Sequence, residues 1–409
     1  MVILCSLGSM FNLLKKNKKY LLACSGGPDS MALLDMCIKN RIKVEVGHVN
    51  YHKRDTAYRD EKIVRDYCKQ HNVKFHLLNY KDVGRGNFQA NARIARYTFF
   101  EKICSNNGLD GVLVAHHKDD LIETYLMQLD KKLGVNYYGL ASVIELYGVR
   151  VYRPLLNYTK SDLLNYCLDN RIDFGIDESN NSDIYERNRL RHSKVEKMSI
   201  DEKNELIREI NIKNEMNEKN IDEALSYLSK KDFTLKEFLD IPHLKIGLRC
   251  LFSNKSDKFY DEIIRQIKDS DSYLYKGDEL WLSKDYGMVR IFNRPTDYEY
   301  VIKKINDIKL IKNPYFKIRK TGSNFDGVTI SDSDFPLIIR NYKQGDSIAM
   351  KYGTKKINRF FIDNKISIKD RLSWPVVINK NGDAILVPGI GCNIDHYSKK
   401  HTMHVVKLY

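Results

Sequence analysis

Paired cysteines are missing from this chain: Cys5, Cys24, Cys37, Cys68, Cys104, Cys167, Cys250 and Cys392 are scattered over 409 residues with no C-x-x-C among them. That spacing argues against a zinc ribbon and gives no disulfide framework, so the thiols read as small apolar fillers. Long apolar runs are missing too, and with them any transmembrane helix. The apolar start, Met1 to Phe11, precedes Lys15, Lys16, Lys18 and Lys19 rather than following a basic stretch, the reverse of a secretory signal. A cytoplasmic protein with no membrane partner is expected. There is no internal repeat, no long low-complexity tract and no Gly-Lys-Ser/Thr to close a Walker A loop.

The length exceeds what one hydrophobic core usually serves, which predicts two or three domains. Hydrophobic residues make up 43% and charged residues 30% of the chain, as in soluble globular proteins. A net charge of +15 points to a polyanionic partner, since Lys and Arg gain by displacing counterions from phosphates. The same charge also follows from a general bias toward Lys, Asn, Ile and Tyr, so by itself it leaves nucleic acid at even odds.

Residues 20 to 190 alternate short β-rich runs with helical stretches: YLLAC, VEVGHVN, KFHLLNY and DGVLVAHH as strands, MALLDMCIKN, DEKIVRDYCKQHN, NARIARYTFFEKICSNNG and KDDLIETYLMQLDKK as helices. This is the pattern of an α/β domain with a doubly wound parallel sheet, whose ligands sit beyond the carboxyl ends of the strands. Charged helical text follows, then short β-like runs (PLIIR, WPVVINK, AILVPGI, MHVVKLY) that suggest a small α+β domain. The expected division is 1–194 catalytic, 195–334 helical middle or linker, and 335–409 C-terminal.

Two clusters carry chemistry. Ser25-Gly26-Gly27-Pro28-Asp29-Ser30 falls between the first strand and its helix, where two glycines allow a tight turn and the helix start offers free N–H groups to phosphate. An ordinary βα turn with a polar cap would look similar. Without the Walker A lysine, such a loop suits attack at the α-phosphate of ATP with release of pyrophosphate. Asp29 has no anion to bind directly, so holding Mg²⁺ against the phosphates is its expected task. The second cluster is Ala115-His116-His117-Lys118-Asp119-Asp120-Leu121-Ile122-Glu123-Thr124 at the end of a strand. Asp120 and Glu123 stand three apart and share a helix face. Alone, these residues fit a divalent-metal hydrolase equally well, or merely acidic first-turn residues favouring the helix dipole.

SGGPDS resembles the signature of the PP-loop ATP pyrophosphatases, and AHHKDDLIET resembles a block of the tRNA(Ile)-lysidine synthetases within that superfamily. Further blocks follow in the family's order: His48-Val49-Asn50, Ala92-Arg93-Ile94-Ala95-Arg96-Tyr97, Arg153-Pro154-Leu155-Leu156, Asp177-Glu178-Ser179-Asn180 with Arg187-Asn188 and Arg191, then Gly345-Asp346, GTKKINRFFIDNKIS and the stretch from Arg371 to Pro375. The likeness covers roughly residues 18 to 192 and 335 to 395. Tyr51-His52-Lys53-Arg54 departs from the family's His-Gly-Leu-Arg, with only Arg54 matching.

The resemblance implies joining of L-lysine to the wobble cytidine of the CAU-anticodon tRNA(Ile), with ATP as co-substrate and Mg²⁺ as cofactor; a homodimer is compatible with it. It implies that Ser25 to Ser30 and His48 bind ATP, that Arg96 and His116 balance charge on an adenylated base, and that Asp120 and Glu123 recognise or deprotonate lysine. Arg187, Arg191, Lys355, Lys356 and Arg359 become contacts to tRNA, the first two alternatively to the lysine pocket. Three rivals stand beside this reading. A base-thiolating enzyme of the same fold needs the paired or persulfide-bearing thiols that are absent, an amidotransferase needs an N-terminal nucleophile that Cys5 is too far inside to supply, and a basic tRNA-binding protein needs no catalysis.

Overall fold

The computed structural model describes residues 13–52, 56–81, 87–131, 134–176, 186–252 and 255–408, the side chains of 308–310 apart. Cys5, Lys53, Arg54 and the Asp177 to Asn180 block lie outside the described residues. The chain divides into two compact units, 1–218 and 219–409.

The first unit is built on strands β1 (Lys19–Ala23), β2 (Lys43–Asn50), β3 (Phe75–Asn79), β4 (Val112–Leu113), β5 (Val143–Leu146) and β6 (Val149–Tyr152), ordered β3-β2-β1-β4-β6-β5. All pairings are parallel except β5 with β6. In β1, Tyr20, Leu21 and Leu22 are all buried, because a parallel strand is covered on both faces and so reads as an apolar run. One core joins Tyr20, Leu22 and Val46 to helices α1 (Pro28–Lys39), α2 (Ala57–Gln70) and α5 (Lys160–Asp169). The opposite core joins Leu21, Val112 and Val151 to Tyr97, Phe100 and Ile103 of α3 (Phe88–Asn107). The strand order therefore reverses between β1 and β4, and the crevice at their carboxyl ends receives both clusters singled out in the sequence.

Local signals set the helix ends. Pro28 opens α1 behind Gly27, where its missing N–H costs nothing. The Asn87 side chain caps α3 by accepting from the Gln89 and Ala90 amides, and Gly108 ends that helix at φ 61°, as expected of a C-terminal glycine. Helix α4 (Lys118–Asp130) runs from the end of β4, and α6 (Glu186–Ser193) lies against it.

The long helix α7 (Ile200–Leu228) begins inside the first unit. Ile210 packs with Leu121 and Tyr125, and the Tyr125 hydroxyl donates to Glu209 at 2.6 Å. An apolar stripe on this mostly charged helix is thus docked on α4, past the expected division at 194/195. The expected division at 334/335 falls between paired strands. Strand β11 (Glu299–Ile302) pairs with β14 (Leu337–Asn341), and β12 (Phe316–Arg319) with β20 (Met403–Lys407), so ladder hydrogen bonds cross it. Before β11, the second unit holds helices and a four-stranded antiparallel sheet, β7-β10-β9-β8, with β7 at Asp232–Thr234, β8 at Tyr273–Lys276, β9 at Leu280–Asp285 and β10 at Met288–Asn293. No helix among the described residues is long and apolar enough to cross a membrane.

One buried acid ties three helices together. Asp35 on α1 accepts from Tyr67 of α2 and Tyr166 of α5, each at 2.6 Å, and pairs with Lys39 at 2.8 Å. Burial pushes its carboxyl up, but these donors outweigh burial and hold it below the usual carboxylate range. Its stabilisation is thus full above the unfolded value of 3.8 and is lost as pH falls through that value toward the depressed one. Asp35→Asn is expected to flatten the acid limb of stability against pH in urea titrations; an unchanged limb would show that the acid limb comes from other groups.

Candidate functional site

The loop after β1 is held in a phosphate-cradle shape by its own hydroxyls. Ser30 Oγ accepts from the amides of Ser25 and Gly26, both at 3.2 Å, and donates to the Gly27 carbonyl at 3.0 Å. Gly26 sits at φ +91°, and a Cβ there would lie 3.0 Å from the backbone oxygen of Asp60, so both conformation and space demand glycine. Its carbonyl accepts from the Gly175 amide at 2.8 Å, which pins the loop to the chain following α5. Pro28 and Asp29 occupy the first turn of α1, whose remaining N–H groups face the carboxyl end of β1.

Asp29 meets the second cluster across the crevice. Its Oδ2 lies 3.8 Å from His117 Nε2, and its Oδ1 is buried without a hydrogen-bond partner. Burial, with Asp120 nearby, raises its carboxyl above the usual value. An orphaned buried carboxylate oxygen is the group a cation would satisfy. Among the described residues no three His, Cys, Asp or Glu converge as a metal cage, which suits an ion held by one or two carboxylates and substrate phosphates.

Helix α4 starts with a reciprocal cap: Asp120 Oδ2 accepts from the His117 amide at 3.0 Å and lies 3.4 Å from His117 Nε2. Asp119 flanks the other side of that ring, its Oδ2 3.6 Å from His117 Nδ1, while it accepts from the Lys160 amide at 2.7 Å and pairs with Lys203. Burial pushes Asp120 up, but His117, Arg187 and His116 hold its carboxyl below the usual range. Glu123 is wholly buried. Its Oε2 takes Arg187 Nε at 2.7 Å, its Oε1 takes Arg191 Nε at 2.5 Å, and Arg187 also bonds Asp120 Oδ1 at 2.9 Å. The two carboxylates expected to meet lysine are therefore already bridged by the two arginines expected to meet tRNA. Four charges so arranged compensate one another where any one alone would be costly to bury.

His116 follows a different logic. Arg153 Nε donates to its Nδ1 at 3.2 Å, so the ring proton sits on Nε2. Burial, helped by the cations Arg153 and Arg187, pushes the ring down to about 4. The ring is therefore neutral near pH 7, with Nε2–H as its donor. Its neighbour His117, on the line between Asp29 and Asp120, was not singled out by the sequence reading, nor was Arg153. The adjacent AHH and RPLL blocks were the signals for both.

His48 is buried, and its Nδ1 lies 2.8 Å from the Cys24 carbonyl, so this nitrogen ties β2 to β1 just before the loop. Burial lowers its basicity, keeping it neutral. Arg96 stands on α3 with its guanidinium 5.4 Å from the Tyr97 ring, and its charge offsets part of the rise that burial imposes on the Tyr51 hydroxyl. Tyr97 and Phe100 beside it are buried, whereas Ile94 is exposed.

In the second unit, Lys355 and Lys356 end β16 (Gly353–Lys356), and Arg359 lies on the following helix, α11 (Ile357–Asp363); all three are exposed. Lys355 lies 5.1 Å over the Phe360 ring, and Arg359 pairs with Asp363 at 3.0 Å. Asp346 of the Gly345-Asp346 block instead makes a two-pronged pair with Arg340 at 2.8 and 2.9 Å, a structural role.

Burial raises all seven described thiols, Cys24 to about 11 and Cys37, Cys68, Cys104 and Cys167 to about 12, which disfavours a thiolate.

Comparison with known proteins agrees with this geometry. A model of the PP-loop domain matches residues 5–198. A tRNA(Ile)-lysidine synthase of Mycoplasma mycoides subsp. mycoides is 36% identical over 92% of this chain and 98% of its own length. One from Bacillus subtilis is 29% identical over 93% and 91%, and one from Mycoplasma pneumoniae is 44% identical over 46% of this chain and 64% of its own. With a phosphate-cradling loop that lacks a lysine facing a buried His and carboxylate cluster at the sheet's switch point, and with likeness along nearly its whole length, the chain belongs to the tRNA(Ile)-lysidine synthase family.

Proposed function

We propose that this protein uses ATP to join L-lysine to C2 of the wobble cytidine in the CAU-anticodon tRNA(Ile), forming a carbon–nitrogen bond through an adenylated base and releasing pyrophosphate and AMP. The observation that carries the reading is the meeting of the Ser25 to Ser30 loop with His117, Asp120 and Glu123 across one crevice.

In the first step the cytidine O2 attacks the α-phosphate. The loop amides now held by Ser30 Oγ are the donors for the departing pyrophosphate, and they gain most where charge develops. Mg²⁺, when bound, supplies electrostatic compensation for the phosphates, with Asp29 as its protein ligand. His116 donates its Nε2 proton as a hydrogen bond to an oxygen of the adenylate. Arg96 remains the cation assigned to that intermediate. In the second step lysine's ε-amine, once deprotonated, attacks C2 and AMP leaves with the electron pair of the C2–O bond. Asp120 and Glu123 are the carboxylates assigned to the amine, with Arg187 and Arg191 setting their position and charge. The exposed Lys355, Lys356 and Arg359 grip RNA phosphates, which fixes register without reading sequence.

The direct test is incubation with labelled lysine, ATP and total tRNA. Label is expected in a single isoleucine isoacceptor; label in no tRNA would sink the activity.

Because His116 gains charge only as pH falls through about 4, single-turnover adenylation should show no His116-linked transition between pH 6 and 8. A transition near 6.5 that disappears in His116→Gln would contradict its neutral, hydrogen-bonding role.

The arginine bridge makes a further claim. Glu123→Gln is expected to retain the AMP-linked tRNA while lysine addition falls roughly ten- to a hundredfold, the loss of a charge-assisted hydrogen bond being about 1.5 to 3 kcal/mol. If Glu123 acts through the arginines, Arg191→Ala reproduces this loss with a raised KM for lysine. Normal lysine kinetics in Arg191→Ala would mean that Glu123 meets the amine directly.

A further inference from the structure

Beyond the crevice, the carboxyl edge of the first unit's sheet carries a second recess, of which the two-step chemistry uses only Arg96, at the wall. Tyr51 follows β2, Tyr80 follows β3, and Phe88 opens α3. Their rings meet edge to face, with centroids 5.7 Å (Tyr51 to Tyr80), 6.3 Å (Tyr51 to Phe88) and 5.9 Å (Tyr80 to Phe88) apart. Tyr51, Phe88, Gln89, Ala92, Arg93 and Arg96 line an open cleft of about 360 Å³. All three rings are half-buried, and Arg93 is exposed at the rim.

We propose that this cleft takes one nucleobase of the tRNA anticodon loop, a neighbour of the cytidine being modified; the proposal rests on the tRNA-modifying reading above. The volume lies at the low end of the roughly 300–1,000 Å³ of small-ligand pockets, room for one flat base and not for a helix. Half-buried aromatic rings beside guanidinium groups are the surface on which unpaired RNA bases stack, and an exposed arginine at the rim meets the flanking phosphate. Position supports the same occupant. The phosphate loop follows β1, Tyr51 follows the adjacent strand and Tyr80 the next, so the cleft stands one to two strand spacings, roughly 5 to 10 Å, along the edge from the loop. A base attacking the α-phosphate at that loop places an adjacent nucleotide within this range. The other source of a nucleobase is the adenine of ATP, which the test separates.

Phe88→Ala and Arg93→Ala, with melting temperature as the folding control, are compared with the wild-type chain for KM of tRNA, KM of ATP, and binding of an unmodified anticodon stem-loop by fluorescence anisotropy. Stacking of one base predicts a tenfold to hundredfold weaker KM and Kd for RNA in Phe88→Ala, with KM for ATP within twofold. Arg93→Ala should weaken RNA binding and flatten its salt dependence. Stem-loops made abasic on either side of the wobble cytidine should, at one of the two positions, bind wild-type and Phe88→Ala equally. A raised KM for ATP with RNA binding intact would make the cleft an adenine site, and unchanged RNA binding in both variants, or a Phe88 effect that survives both abasic substitutions, would also overturn the proposal. Failure of the wild-type chain to attach lysine to any tRNA would remove the proposed reaction while leaving the stem-loop measurement to judge the cleft.

Discussion

The bridge from Glu123 and Asp120 to Arg187 and Arg191 is the interaction on which the site depends. A carboxylate buried as fully as Glu123 needs close hydrogen-bonding partners, and both of its partners come from α6. Removing one member of such a group typically costs about 3 to 5 kcal/mol, because the remaining charge stays buried. The bridge therefore fixes where α6 sits, how α4 presents Asp120, and through Asp120 how His117 is oriented toward Asp29. Charge compensation here sets geometry more than stability. That is the use to which a buried ionic network is put when its position lies beside reacting atoms.

The phosphate loop shows the complementary economy. Its amides are not left open: Ser30 Oγ accepts from two of them, and Ser25 Oγ stands 3.2 Å from Ser30 Oγ. A hydroxyl is a weak neutral acceptor, and a phosphate oxygen is a charged one, so the exchange on ATP binding favours the ligand without the loop having to reorganise. The neutral histidines serve the same end. His48 and His116 are both held uncharged by burial, which fixes their hydrogen-bonding polarity across the physiological range.

Much of the first unit was legible in the sequence because its signals are local. The apolar run at Tyr20 to Leu22, the turn at Gly26 and Gly27, the stop at Gly108 and the adjacency of His116, His117 and Asp120 depend on residues close along the chain. What was not legible depends on pairs far apart in sequence. Nothing local says that Glu123 meets Arg187 and Arg191, that Arg153 turns the His116 ring, or that β12 pairs with β20. The docking of α7 on α4 and the pairing of β11 with β14 have the same origin, since a charged helix hides one docking stripe and short strands do not name their partners.

The net charge of +15 can now be assigned work residue by residue. In the first unit, arginines near the chemistry are spent on internal partners: Arg187 and Arg191 on carboxylates, Arg153 on His116 and the Ala141 carbonyl. Each of these cations already holds a partner inside the unit. Other cations have exposed heads, among them Arg93 on α3 and Lys355, Lys356 and Arg359 in the second unit. The charge that a composition count treats as one quantity thus divides into two. One part is engaged with partners inside the first unit. The other is exposed and is the part from which any salt-dependent hold on a polyanion must come.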